Sequence, residues 1–304
     1  TVTRQTVDEI AYRLFGFTAL RPFQHRILAR VLTGHSVLGI AATGGGKSEC
    51  FILPAMLLPG ITVVVSPLKS LMTDQYHQRI ERRYGLDHLT TYLNGDVSLR
   101  EREARLKRLE LGYYKLVYCT PEQLARDWVL ASLKRAHEAV GIRYLAMDEA
   151  HCISQWGHDF RPAYLNLTRR LSEYGIEPVR IALTATASLE VRRDICEELE
   201  LDSRPLDDGG DVLVDSSNRP ELNLIVRVTE TTTEKAERIL VDLRALLQRN
   251  AESESKGAAI VFMPYTGNDP NNTEAYLPGA AHSRRGMRSA RVNAFASFLE
   301  RELG

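Results

Sequence analysis

The sequence predicts an α/β fold: a doubly wound, mostly parallel sheet followed by a partial second α/β lobe. Three observations carry that prediction. Short β-branched runs bounded by polar residues recur, longer stretches with helical periodicity separate them, and a glycine-rich turn joins the first run to its helix. The expected strands are 36–41, 61–66, 89–93, 115–119, 142–148 and 179–184. The expected helices are 68–84, 98–111, 121–140 and 188–199. In such a sheet ligands sit at the carboxyl ends of strands, so reactive residues are expected just after them.

The segment 190–211 holds nine acids against three arginines and contains Asp207-Asp208-Gly209-Gly210, which reads as a helix running out into a surface connection. The first domain is therefore placed at 1–215 and the second at 216–304. The second has an extended run at 222–228, a helix at 233–250, the polar linker AESESKG and an apolar strand at 258–263. A Gly/Asn/Pro-rich loop at 267–272 and a helix at 288–303 follow, too little to close a sheet of ordinary size.

Composition narrows the partners. Lys plus Arg number 39 and Asp plus Glu number 39, so the net charge is 39 − 39 = 0 and any polyanion site must be local. The four cysteines form no C-x-x-C pair, which argues against structural zinc and a disulfide framework and for a reducing, cytoplasmic setting. The apolar stretch 51–65 is interrupted by Pro54, Pro59 and Gly60, and the first ten residues contain no apolar signal region. Neither a membrane span nor a secretion signal is expected.

Chemistry begins after the first strand, at Ala42-Thr43-Gly44-Gly45-Gly46-Lys47-Ser48. Glycines let backbone N–H groups wrap a phosphate, Lys47 can reach β- and γ-phosphates, and Ser48 can hold Mg²⁺ at a helix N-terminus. This is a Walker A loop with Ala41 in place of the first glycine. After the strand at 142–148 stand Asp148 and Glu149: one carboxylate suits Mg²⁺, and a second beside it can orient or deprotonate an attacking water.

These segments, with SPLKSLMTDQ at 66–75, DEAHCISQWGHDFRP at 148–162 and ALTATA at 182–187, resemble in order and spacing the superfamily 2 helicases of the RecQ family. The run 14–24, with Phe17, Arg21 and Gln24, looks like that family's adenine-recognition motif. The resemblance implies a RecA-like first lobe at 1–215 and part of a second at 216–304. It implies an ATP-dependent DNA helicase that moves 3′ to 5′ on single-stranded DNA, with ATP and Mg²⁺ as cofactors and single-stranded or partly duplex DNA as partner. A bacterial cytoplasm or nucleoid is the matching location.

Carried over residue by residue, Thr43, Gly44, Gly45, Gly46, Lys47 and Ser48 would hold phosphates, Ser48 and Asp148 Mg²⁺, and Glu149 the attacking water. Phe17 would stack on adenine, Gln24 would read its edge and Arg21 would support the pocket. The loop with Gln155, Trp156, His158, Phe160 and Arg161 would sense DNA, its aromatics stacking on bases of any identity. Glycine, histidine and aspartate between Trp156 and Phe160 favour an exposed loop over a packed strand. Thr184 and Thr186 would couple hydrolysis to lobe movement, with His151 within reach of their hydroxyls. Ser66, Lys69 and Ser70 resemble the first lobe's DNA-backbone contacts. No Q-x-x-G-R-x-G-R segment occurs in these 304 residues, so a nucleotide-dependent DNA-binding module without unwinding activity of its own stands as the alternative.

Overall fold

In the computed structural model, residues 3–157, 160–215 and 232–252 are described. The chain divides into two compact units, Thr1–Pro220 and Glu221–Gly304. In the first unit α1 (Arg4–Phe15) and α2 (Pro22–Leu32) precede β1 (Val37–Ile40), and α3 (Glu49–Leu57) leads to β2 (Ile61–Val65). Next come α4 (Lys69–Asp74), a π-helix (Gln75–Tyr84), β3 (Thr90–Leu93), α5 (Leu99–Glu110) and β4 (Leu116–Cys119). Then α6 (Pro121–Leu124), α7 (Asp127–Val140), β5 (Ile142–Met147), α8 (Leu167–Glu173), β6 (Val179–Thr184), α9 (Leu189–Glu198) and β7 (Val212–Val214) follow.

The seven strands form one sheet in the order β3-β4-β2-β5-β6-β1-β7, every neighbouring pair parallel. Both faces are covered, which is why β2 and β1 are buried along their whole length instead of alternating. On one face Val37, Val64, Tyr118 and Leu183 pack with Phe15, Ile27, Phe51 and Ile80 from α1, α2, α3 and the π-helix. On the other, Leu38, Val65, Leu145 and Ala182 pack with Leu109, Leu133, Leu171 and Ile195 from α5, α7, α8 and α9. Because all strands run the same way, every strand end that precedes a candidate residue lies along a single edge.

All six expected strands form, with ends trimmed by no more than a residue. The departures have local causes. The helix expected at 121–140 breaks between Leu124 and Asp127 into α6 and α7. The helix expected at 68–84 is α-helical only to Asp74 and then widens into the π-helix. Its apolar residues Met72, Tyr76, Ile80 and Tyr84 recur every fourth position, a repeat longer than the 3.6 of an α-helix and suited to looser winding. The segment read as a surface connection contains β7, which extends the sheet by pairing with β1 through Leu38↔Val212. Three residues flanked by acids carry too little periodicity to show as a strand. Helices α1, α2 and α8 were also not among the expected elements.

In the second unit the helix expected at 233–250 forms as α10 (Thr232–Glu252). The expected runs 222–228, 258–263, 267–272 and 288–303 lie outside the described residues. Among the described residues no helix is long and apolar enough to cross a membrane.

Candidate nucleotide and nucleic-acid site

Strand register brings the sequence's scattered motifs together. Ala41 N–H donates to the Thr184 carbonyl (3.1 Å), Asp148 N–H to Val65 (2.9 Å) and Ser66 N–H to Cys119 (3.0 Å). The glycine-rich loop, the acidic pair, Ser66 and Thr184 therefore occupy one row at the carboxyl edge of the sheet.

The loop from Ala42 to Ser48 connects β1 to α3. Gly46 sits at φ +78°, and a Cβ there would stand 2.4 Å from Gln24 Nε2, so only glycine fits. Thr43 and Gly44 are exposed, Gly45 and Ser48 are buried. Lys47 Nζ donates to the carbonyls of Ala41 (2.9 Å) and Ala42 (3.3 Å), and its partial burial lowers its pKa, desolvation outweighing the nearby Glu149 and Asp148 charges.

Asp148 is buried. Gln75 Nε2 donates to its Oδ2 (2.8 Å) and Glu149 N–H to its Oδ1 (3.1 Å). Burial raises its pKa against the pull of the Gln75 hydrogen bond. Glu149 has φ 51° and ψ 48°, a left-handed conformation that costs a non-glycine residue about 1–2 kcal/mol. That turn aims its carboxylate at His151, whose Nδ1 lies 3.2 Å from Glu149 Oε2 and 3.0 Å from Thr184 Oγ1. Thr184 donates its hydroxyl to the Thr186 carbonyl (3.0 Å), which leaves its lone pairs to accept from a protonated His151 Nδ1. The His151 hydrogen bond lowers the Glu149 pKa. The imidazole is pushed up to about 10 by its hydrogen bond with Cys152, then by Glu149.

The loop after the acidic residues is held from below. Ser154 Oγ donates to Asp194 (2.5 Å) and accepts from Trp156 N–H (3.1 Å). A Cβ on Gly157 would meet the His151 carbonyl at 2.3 Å, so the chain can fold back this closely only with glycine. Gln155 is exposed, Trp156 is 78% exposed, and Phe160 and Arg161 are half-buried. Arg161 N–H donates to the Cys152 carbonyl, and its guanidinium lies 3.9 Å from Glu122. His158 lies outside the described residues.

Three of the expected site residues have protein surroundings that the sequence does not show. Gln24 is buried with both ends of its amide engaged: Oε1 accepts from Arg21 N–H (2.8 Å) and Nε2 donates to the Gly46 carbonyl (2.9 Å). It braces the glycine-rich loop. Ser66 is fully buried and its hydroxyl has no partner among the described residues, whereas Lys69 and Ser70 are exposed. Lys69 is itself paired with Asp96 (2.8 Å). Phe17 is half-buried. It packs with Phe15 and Tyr84, and Arg83 lies over its ring at 5.4 Å; Arg21 beside it is exposed.

Two residues carry site contacts that the sequence did not single out. Gln75 closes the quoted segment 66–75, and its position at a motif's last residue was the available signal. Glu49 directly follows Ser48; it is buried, accepts from Tyr84 Oη (2.8 Å) and pairs with Arg79 (3.2 Å).

Among the described residues no group of three or more His, Cys, Asp or Glu is arranged to hold a metal ion. The donors near the loop suit a cation that keeps most of its ligands from phosphate and water, as Mg²⁺ does. They are Ser48 and the Asp148 carboxylate; the buried Gln75 Oε1 has no hydrogen-bond donor among the described residues.

Comparison with known proteins shows the family of the chain. The DEAD/DEAH box helicase family model matches residues 21–195. The chain is 38% identical over 261 residues to the "Probable ATP-dependent DNA helicase RecS" of Bacillus subtilis, covering 85% of this chain and 47% of that protein. It is 42% identical over 188 residues to the ATP-dependent DNA helicase RecQ of the same organism, covering 62% of this chain and 30% of that one. With the RecQ-like DNA helicase BLM of Xenopus laevis it shares 33% identity over 252 residues, covering 81% of this chain and 17% of that one. The chain thus spans about half the length of the first relative and less of the others. In fold it is similar to the DUF1998 helicase MrfA, with a TM-score of 0.59 at 18% identity over 98% of this chain and 40% of that one.

Proposed function

The chain belongs to the DEAD/DEAH box helicase family, and from that premise we propose that it is the motor core of a RecQ-type ATP-dependent DNA helicase. Residues 1–215 form its first RecA-like lobe and 216–304 part of a second. The observation that carries the reading is the contact of His151 with both Glu149 and Thr184, because it ties the acidic pair to the threonine segment through one side chain.

In this reading the backbone N–H groups of Thr43 to Gly46 and the Lys47 ammonium cradle the phosphates of ATP. Ser48 and Asp148 would hold Mg²⁺, which would supply positive charge against the phosphates. Glu149, ionised and fixed by His151, accepts the proton of the attacking water. His151 then passes the change in its partner to Thr184 and Thr186. Gln155, Trp156, His158, Phe160 and Arg161 take single-stranded DNA by stacking and phosphate contact, with Lys69 and Ser70 on its backbone. Hydrolysis drives 3′-to-5′ translocation and unwinding of single-stranded or partly duplex DNA. The four cysteines, all buried and none of them in a disulfide among the described residues, suit a reducing cytoplasm or nucleoid.

The test is ATP hydrolysis by this chain with and without single-stranded DNA. Lys47→Ala is expected to abolish turnover, and Glu149→Gln to bind ATP without hydrolysing it; wild-type turnover in both variants overturns the assignment. DNA-stimulated turnover supports the motor. Because no Q-x-x-G-R-x-G-R segment lies in these residues, ATP-sensitive DNA binding with negligible turnover would favour the alternative, a binding module that does not unwind.

A further inference from the structure

The π-helix Gln75–Tyr84 touches the candidate nucleotide site at two places. At its start Gln75 Nε2 donates to Asp148 Oδ2 (2.8 Å). At its end Tyr84 Oη donates to Glu49 Oε1 (2.8 Å), and between them Arg79 pairs with the same carboxylate (3.2 Å). Winding explains how one short segment does this. With roughly 4.4 residues per turn, the nine-residue step from Gln75 to Tyr84 is about two whole turns and returns to the same face. In an α-helix nine residues make about two and a half turns, which would point Tyr84 away from the site.

The two anchors flank the residues assigned to Mg²⁺. Glu49 follows Ser48 directly, and Asp148 is the other assigned oxygen donor. Gln75 meets Asp148 as an ionised carboxylate needs, with an N–H, and its own Oε1 is buried without a donor among the described residues. Ligating carboxylates are generally oriented by such outer hydrogen bonds, whose removal costs about 10–100-fold in metal affinity or activity.

We propose that Gln75 is a positioning residue for the Mg²⁺ of this site, holding the Asp148 carboxylate through Nε2 and offering Oε1 to a metal-bound water. The π-helix fixes it in place through Glu49, Arg79 and Tyr84. The inference rests on the nucleotide-site reading above and adds a residue to which that reading gives no role.

The test measures binding of N-methylanthraniloyl-ADP to the full chain as Mg²⁺ is titrated, a readout independent of turnover. Gln75→Met keeps the side chain's length and deletes both polar atoms; Gln75→Asn keeps the amide but is one methylene too short. In both, the Mg²⁺ concentration for half-maximal tightening is expected to rise about 10–100-fold, with Mg²⁺-free nucleotide affinity within about twofold of wild type. In an Asp148→Asn background Gln75→Met should add no further shift, since the group it positions is gone. An unchanged Mg²⁺ curve in Gln75→Met overturns the inference, as does an equal loss of Mg²⁺-free binding, which marks a general structural role. Absence of any Mg²⁺ dependence in the wild-type chain instead overturns the nucleotide-site reading itself.

Discussion

Replacing Gly46 by alanine tests the glycine-rich loop at its tightest point. The backbone there has φ +78°, a conformation that costs an L residue about 1–2 kcal/mol. The new Cβ would also stand 2.4 Å from Gln24 Nε2, closer than any side chain tolerates, so Gln24 must withdraw and its hydrogen bond to the Gly46 carbonyl must break. A net hydrogen bond is worth about 0.5–1.5 kcal/mol, giving a combined cost of about 1.5–3.5 kcal/mol. That cost has two outlets. If the loop keeps its shape, the denaturant midpoint falls; if it shifts, ATP affinity falls instead, by up to about 10- to 400-fold. Denaturant unfolding and titration with a fluorescent ATP analogue together capture both. In a Gln24→Ala background the same substitution should cost only the backbone share, about 1–2 kcal/mol. Wild-type stability together with wild-type ATP affinity in Gly46→Ala would refute the assigned contact between Gln24 and the loop.

Other perturbations follow from single contacts. Gly39→Ala in β1 would bring a methyl to 2.9 Å from Ile27 Cδ1, Leu183 Cδ2 and Phe23 Cζ; overpacking of this kind lowers unfolding free energy by about 1–3 kcal/mol, read from the denaturant midpoint. With Trp128→Phe leaving Trp156 as the one reporter, single-stranded DNA should change the tryptophan emission. Trp156→Ala should weaken DNA binding by about 1–3 kcal/mol, and an unchanged spectrum and affinity would remove Trp156 from the interface. The pKa of His151 is raised above its ordinary 6.5 to about 10, so its contribution to stability is complete below about pH 6.5 and lost as pH rises through about 10. Glu149→Gln should lower the midpoint of the His151 imidazole resonances in an NMR titration; a midpoint that stays put denies the pairing.

Much of the fold could be read locally. Each of the six expected strands is a β-branched run whose identity depends on adjacent residues, and the glycine-rich loop, Asp148 and Glu149 are legible because a strand end and its following turn are contiguous in sequence. Contact between Thr184 and His151 followed from the motifs and is present at 3.0 Å. Exposure of Trp156 followed from the small and polar residues after it, which do not suit a packed strand.

The sequence by itself thus determined the fold class and the places of the glycine-rich loop, the acidic pair and the aromatic-rich loop, since each is encoded within a short window by side-chain period and backbone permissiveness. Tertiary structure alone decided the partners of the polar groups. Gln24 turns onto Gly46, 22 residues away, and Gln75 onto Asp148, 73 residues away, because sheet order places their elements side by side. Burial of Ser66 and addition of β7 beside β1 are likewise set by what packs against them. A hydrogen bond between distant residues exists only once the strands between them have been ordered, and strand order is a long-range property that no local pattern carries.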